Sequence, residues 1–207
     1  MFVKVCGITS KRDAHIAAGS GASAIGLVFC PSPRRVSPEQ ARTIRRGLPS
    51  WMEVVGVFLD EVASRVRYVA DYCRLDAIQL HGNETPEMCR ALGMPVIKAV
   101  RVRNRTSLDM IHIYRGNVRA ILLDAWHPTQ EGGRGRAFDW RLAAGARTED
   151  VPLILAGGLT PENVGSAVAM VRPWGLDVSS GVERRPGVKE PFLVRRFLEQ
   201  ALPGNER

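Results

Sequence analysis

Four polar side chains stand at the ends of apolar runs, where another aliphatic residue would be cheaper to bury. Cys6 closes FVKVC, His81 follows AIQL, Asp124 closes AILLD, and Asp177 sits in GLDV. A thiol with a reference pKa of about 8.5 can act as base or nucleophile once its thiolate is favoured. Lys4 lies two residues before Cys6, so in an extended strand it projects to the same side, where its ammonium would favour that thiolate. A carboxyl such as Asp124 can act as an acid if burial or a neighbouring anion raises its pKa. Each residue taken singly also has a structural explanation. Cys6 can fill core, Asp124 can cap a loop, His81 can bond a backbone carbonyl, and Asp177 can pair with Lys4. Four of them at one set of strand ends argue for a shared purpose. They do not form a Ser/His/Asp or Cys/His hydrolase set, and no HExxH motif or Cys/His cluster argues for a metal.

A second signal lies near the C-terminus. Leu153 to Ala156 run into Gly157-Gly158, and Leu176 to Val178 run into Ser179-Ser180-Gly181; a helix-like stretch follows each. Two successive strand–small-residue turn–helix units present bare backbone N–H groups beside helix N-termini, which suits a phosphate dianion. With that anchor, a base and an acid on distant strands suit proton transfer on either side of a sugar phosphate.

These residues need elements to hold them. Apolar, β-branched runs are predicted as strands at Phe2–Cys6, Ala24–Phe29, Glu53–Leu59, Asp76–Leu80, Val96–Val100, Ala120–Leu123, Pro152–Leu155 and Leu176–Val178. Helical stretches are predicted at Ser10–Ala18, Pro38–Arg46, Glu61–Cys73, Thr85–Leu92, Asn104–Tyr114, Trp140–Ala146, Pro161–Val171 and Phe192–Leu202. Eight βα units with short connections imply parallel strands, and near-continuous apolar strands such as AIGLVF imply a sheet covered on both faces. The unit count favours a closed barrel over an open doubly wound sheet, although alternation alone does not decide closure. We expect an α/β protein, a single (β/α)8 TIM barrel spanning residues 1–207, with its chemistry at the C-terminal strand ends and phosphate held after strands seven and eight. Gly19-Ser20-Gly21-Ala22-Ser23-Ala24 mimics a dinucleotide fingerprint, but it follows a helix and precedes a strand, the reverse of what that motif requires. The run GVERRPGVK fails the spacing of a P-loop.

Composition sets bounds on function. The formal net charge is +8, carried mostly by arginine, with lysine only at positions 4, 11, 98 and 189. The arginines are scattered among acids without aromatic interleaving, which reads as a solvated surface and not as a nucleic-acid footprint. No apolar run approaches the ~20 residues of a membrane span. Met1 to Val5 enters a strand directly, without signal-peptide anatomy, and a cytoplasmic protein is expected. The four cysteines, at 6, 30, 73 and 89, form no CxxC pair, and Cys73 and Cys89 are expected to be buried small hydrophobes.

Taken in order, these motifs resemble phosphoribosylanthranilate isomerase. The matching segments are VKVCGIT (3–9), GLVF and SPRRVSP (26–38), VGVF (55–58), IQLHG (78–82), LLD (122–124), GG and GRAFDW (132–140), LAGGLTPENV (155–164), and DVSSGVE with PGVK (177–189). The resemblance implies an Amadori rearrangement of N-(5-phosphoribosyl)anthranilate to 1-(2-carboxyphenylamino)-1-deoxyribulose 5-phosphate, in tryptophan biosynthesis, without cofactor or metal. By that resemblance Asp124 is the general acid and Cys6, as thiolate, the base. Arg34 meets the anthranilate carboxylate, His81 and Asp177 lie near substrate, and Gly157, Gly158, Ser180 and Gly181 form the phosphate cradle. The implied partner is this small-molecule substrate, with no nucleic acid and no membrane, for a monomer or homodimer.

Two features depart from the family pattern. The CPSP segment before Arg34 is one residue shorter than the common form, so Arg34 and Arg35 both stand as candidates for the carboxylate. Arg134 stands between Gly133 and Gly135, where the family carries a small Ser or Thr; it is either an anion contact or a solvent-facing side chain. A related barrel isomerase of the histidine pathway is the nearest alternative. It would be expected to carry an aspartate in place of Cys6 and a second phosphate cradle near the half-barrel point.

Overall fold

The computed structural model describes residues 1–125, 140–146 and 151–202. Eight parallel strands, β1 (Phe2–Cys6), β2 (Ala24–Val28), β3 (Glu53–Phe58), β4 (Ala77–Leu80), β5 (Val96–Val102), β6 (Ala120–Ala125), β7 (Leu153–Leu155) and β8 (Gly175–Val178), pair in sequence order. β8 pairs back onto β1, with Lys4 in register with Asp177, so the sheet closes into the expected (β/α)8 barrel. The helices are α1 (Lys11–Gly19), α2 (Pro38–Arg45), α3 (Ala63–Cys73), α4 (Pro86–Ala91), α5 (Trp140–Gly145), α6 (Val164–Val171) and α7 (Pro191–Ala201). Between β5 and β6 the predicted helix is a 3-10 helix, Arg105–Tyr114. Among the described residues no helix is long and apolar enough to cross a membrane.

Local sequence explains where the helices start. Ser10, Ser37 and Thr85 each accept a hydrogen bond from the backbone three residues on, and Pro38 and Pro86 fill first-turn positions where no N–H is needed. Ser37 and Gln40 complete a reciprocal capping box. The helix predicted from Pro161 begins only at Val164, because Asn163 holds the preceding turn. Its side chain accepts from Thr160 N at 2.8 Å and donates to Gly158 O at 2.9 Å. A short antiparallel hairpin, β9 (Glu183–Arg185) with β10 (Val188–Lys189), was not foreseen; two- and three-residue strands leave no periodicity to read.

Strand alternation divides the core into two shells. Val3, Val5, Ile25, Leu27, Val54, Ile78, Leu80, Ile121 and Leu123 face outward into the helix-covered layer. Ala24, Val55, Ala77, Ile97, Ala99, Ala120, Leu122, Ile154 and Ala156 fill the barrel interior. Alanine is frequent inside, which leaves volume for the long Lys4 side chain. Phe2 stacks on Trp174 at 4.9 Å between ring centroids and closes the floor, with Arg119 over both rings and paired to Glu53.

α7 shows how the outer layer is anchored. Val194, Phe197, Leu198 and Ala201 are buried at the i, i+3, i+4, i+7 spacing of one helical face. Phe197→Ala should therefore destabilise the fold by about 3–5 kcal/mol. The measurement is urea unfolding at constant m-value; a loss below about 1 kcal/mol would show that α7 does not anchor the barrel.

Candidate active site

The C-terminal ends of the strands surround a cavity of about 340 Å³. Of the residues singled out from the sequence, Cys6, Arg34, His81, Asp124, Gly157, Gly158, Asp177, Ser180 and Gly181 line it. Val28, Val57, Leu59 and Pro31 supply an apolar wall on the β2–β3 side. Arg134 lies outside the described residues.

β1 delivers Lys4 and Cys6 to the interior. Lys4 is fully buried, and its Nζ lies 2.9 Å from Asp177 Oδ1, an ion pair that the strand register imposes. Burial alone would lower the Lys4 pKa. The charge of Asp177, then that of the Cys6 sulfur, outweighs this and raises it, so the group stays an ammonium. Gly26 on β2 makes room, since a Cβ there would stand 2.6 Å from Cys6 Sγ and 3.1 Å from Lys4 Nζ. Lys4 does favour the thiolate, as the spacing led us to expect, but its effect does not prevail. Burial pushes the Cys6 thiol up, Asp177 adds to the rise, and Lys4 and Lys189 only partly offset it. Burial therefore favours the neutral thiol of Cys6.

A polar chain forms across from β1. Gln79 Nε2 lies 3.1 Å from His81 Nδ1, and His81 Nε2 lies 3.2 Å from Asp124 Oδ2. With the amide nitrogen donating to Nδ1, the ring carries its proton on Nε2 and donates it to Asp124. Gln79 is buried, its Oε1 has no partner, and it lines the cavity. Sequence reading passed over it, although it sits two residues before His81 in an otherwise apolar strand and must share its face. Arg101, in register with Asp124, is a further cavity residue that sequence reading missed.

Arg34 enters from the loop after β2. Its Cδ packs where a Cβ on Gly7 would stand, 2.5 Å away. Its Nε and Nη2 donate to the two oxygens of Glu183 at 2.9 and 2.7 Å. This hydrogen-bonded pair raises the Arg34 pKa and, together with Lys189, overcomes the burial of Glu183 and lowers its pKa. Lys189 Nζ donates to Glu183 Oε1 at 2.8 Å and to Ser179 O at 3.1 Å. Arg35 is exposed, sits in a backbone bridge with Val28, and does not line the cavity.

The loops after β7 and β8 form the remaining wall. Gly157 and Gly158 have φ of 80° and 70°, a left-handed conformation that a side chain would strain. Gly181 lies so close to the opposite loop that any Cβ would collide with the Leu159 carbonyl. The two turns therefore touch, and together they present backbone to the cavity.

Relatives place this arrangement in a family. The family model described as N-(5'phosphoribosyl)anthranilate (PRA) isomerase matches residues 3–200. An N-(5'-phosphoribosyl)anthranilate isomerase of Geobacter sulfurreducens is 51% identical over 200 residues, covering 96% of this chain and 97% of its own length. The crystal structure of phosphoribosyl anthranilate isomerase from Thermotoga maritima superposes with a TM-score of 0.91 at 45% identity, over 97% of this chain and 98% of that one. A phosphoribosyl anthranilate isomerase in complex with reduced 1-(o-carboxyphenylamino)-1-deoxyribulose 5-phosphate gives 0.88 at 43% identity, with the same coverage. A family match over nearly the whole chain, half-identical relatives and a shared closed barrel agree: this chain belongs to the N-(5'-phosphoribosyl)anthranilate isomerases, enzymes of tryptophan biosynthesis.

Proposed function

We propose that the chain converts N-(5-phosphoribosyl)anthranilate to 1-(2-carboxyphenylamino)-1-deoxyribulose 5-phosphate by acid–base catalysis, with Asp124 as acid and Cys6 as base. One observation carries the reading. The two small-residue turns follow β7 and β8, the strands that separate the Asp124 strand from the Cys6 strand. A pentose tethered there by its 5-phosphate is presented between the two groups. The complex of a relative with a reduced product analogue supports a ligand of this kind, and a relative described as dimeric supports a monomer or homodimer here.

The steps follow from the chemistry. Asp124 protonates the ribose ring oxygen, the C1–O bond breaks, and the anilino nitrogen becomes an iminium. His81 donates its Nε2–H to Asp124 and holds that carboxyl in place. The cationic iminium acidifies the C2–H, and the Cys6 thiolate removes that proton. The resulting enolamine tautomerises to the ketone, and the nitrogen serves as the electron sink. Burial disfavours the thiolate, and the iminium charge of the bound substrate, with Lys4 and Lys189, favours it. Arg34 offers Nη1, which Glu183 does not occupy, to the anthranilate carboxylate, and the aromatic ring rests on Val28, Val57 and Leu59.

The assay is the loss of fluorescence of phosphoribosylanthranilate generated in situ. Cys6→Ser and Asp124→Asn should each lower kcat by about a hundredfold or more while product-analogue affinity changes only a few-fold. Near wild-type turnover in either variant would remove that residue from its role.

Arg34→Ala should raise KM by about tenfold or more, whereas Arg35→Ala should leave it within about twofold. The larger loss at Arg35 would reverse the assignment. Gly181→Ala should weaken competition by inorganic phosphate by about tenfold, because it forces the two turns apart by contact of backbone with a rigid carbonyl. Unchanged phosphate inhibition would place the phosphate elsewhere.

A further inference from the structure

Glu183 and Lys189 are buried charges that line no part of the cavity, yet both lie one contact behind it. Arg34, by contrast, reaches the cavity wall with its side chain 15% exposed. A guanidinium on a flexible stem at a loop tip would ordinarily sample many rotamers and lose that freedom when a ligand binds. Here the freedom is already removed. Both oxygens of Glu183 grip the Nε–Nη2 edge, and the Arg34 stem lies in the space left by Gly7.

The charges explain why two residues are needed. A carboxylate alone would fix Arg34 and at the same time cancel its attraction for an anion. Lys189 supplies a second cation to the same Glu183 oxygen, so the three-residue cluster keeps a surplus positive charge. The hairpin β9–β10 brings the two together, with Glu183 opposite Lys189. Its turn is tied down by Gly187 N donating to Glu183 Oε1 at 3.3 Å, and by Thr9 donating to Gly187 O at 2.6 Å.

We propose that Glu183, with Lys189 behind it, is the positioning residue that aims the free edge of Arg34 at the substrate's carboxylate, making the β9–β10 hairpin the element that selects carboxylate-bearing substrates. The inference rests on the reading of Arg34 given above. Glu183 touches no ligand; it acts through Arg34.

The test uses the full chain and three ligands: inorganic phosphate, the reduced carboxyphenylamino product analogue, and the same analogue without its carboxylate. Glu183→Gln keeps the shape and removes the charge. It should weaken the carboxylate-bearing analogue by about tenfold and leave the other two within about twofold. In the Arg34→Ala background, Glu183→Gln should cause no further loss. Equal weakening of all three ligands would make Glu183 a structural staple of the phosphate turn and overturn the proposal, as would no weakening or full additivity with Arg34→Ala. If Arg34→Ala by itself fails to separate the two analogues, it is the assignment of Arg34 that falls, a distinct outcome. Circular dichroism and thermal melting establish folding of each variant. Should Glu183→Gln fail to fold, Glu183→Asp keeps the charge beside Lys189, shortens the reach to Arg34, and should show the same selective loss. Loss from all three ligands in that variant, or from none, would overturn the proposal equally.

Discussion

Lys4 and Asp177 meet across the β1–β8 seam with almost no solvent to share their charges, and the upper half of the barrel is arranged around them. Two ions in such a place cost more to desolvate than an isolated contact returns, and removing one partner of such a pair typically costs about 3–5 kcal/mol. The sequence accommodates the pair with small inward residues: Ala24 and Gly26 on β2, Ala77 on β4, Ala99 on β5 and Ala120 on β6. Leucine or phenylalanine at those positions would give a tighter apolar core and displace the lysine. The barrel interior thus gives up packing so that an ammonium can stand beneath the Cys6 sulfur.

The charges then repeat in pairs around the mouth. Lys4 answers Asp177, Arg34 and Lys189 share Glu183, and His81 faces Asp124. Each pairing holds a side chain in one orientation before a ligand arrives, and such pre-set dipoles and charges lower a barrier without reorganising during the reaction. The pairs are also linked through the backbone. Lys189 reaches the Ser179 carbonyl in the turn after β8, so Arg34 and that turn hang on one hairpin. Stability lies chiefly in the outer shell, where aliphatic strand residues meet the helices, while the inner shell carries charge. This division is natural in a closed barrel, since outward residues see only helices and inward residues see only one another.

Much of this was legible from the chain alone. Near-continuous apolar, β-branched runs located all eight strands, because strand burial is a local consequence of residue type. The strand-end polar residues were legible for the same reason: an aspartate or histidine closing an aliphatic run breaks a pattern that burial would otherwise enforce. Closure of the sheet was expected from the count of eight units and not from alternation, which fits an open sheet as well, and the β8–β1 pairing bears it out. The β9–β10 hairpin was missed because two short strands leave no period. Gln79 was missed because one amide in an apolar run gives little signal until its neighbour's ring is in view.

The sequence by itself determined which residues could do chemistry, the order of the elements that carry them and the small-residue turns after the last two barrel strands. It could place Lys4 beside Cys6, because two residues on one strand share a face. The tertiary structure decided what those neighbours amount to. Burial outweighs the ammonium and favours the protonated thiol. Arg34, and not Arg35, faces the cavity, because the loop after β2 is fixed by a carboxylate 149 residues away. Desolvation and long-range pairing depend on everything that surrounds a group in space, and residues distant in the chain supply most of that surrounding.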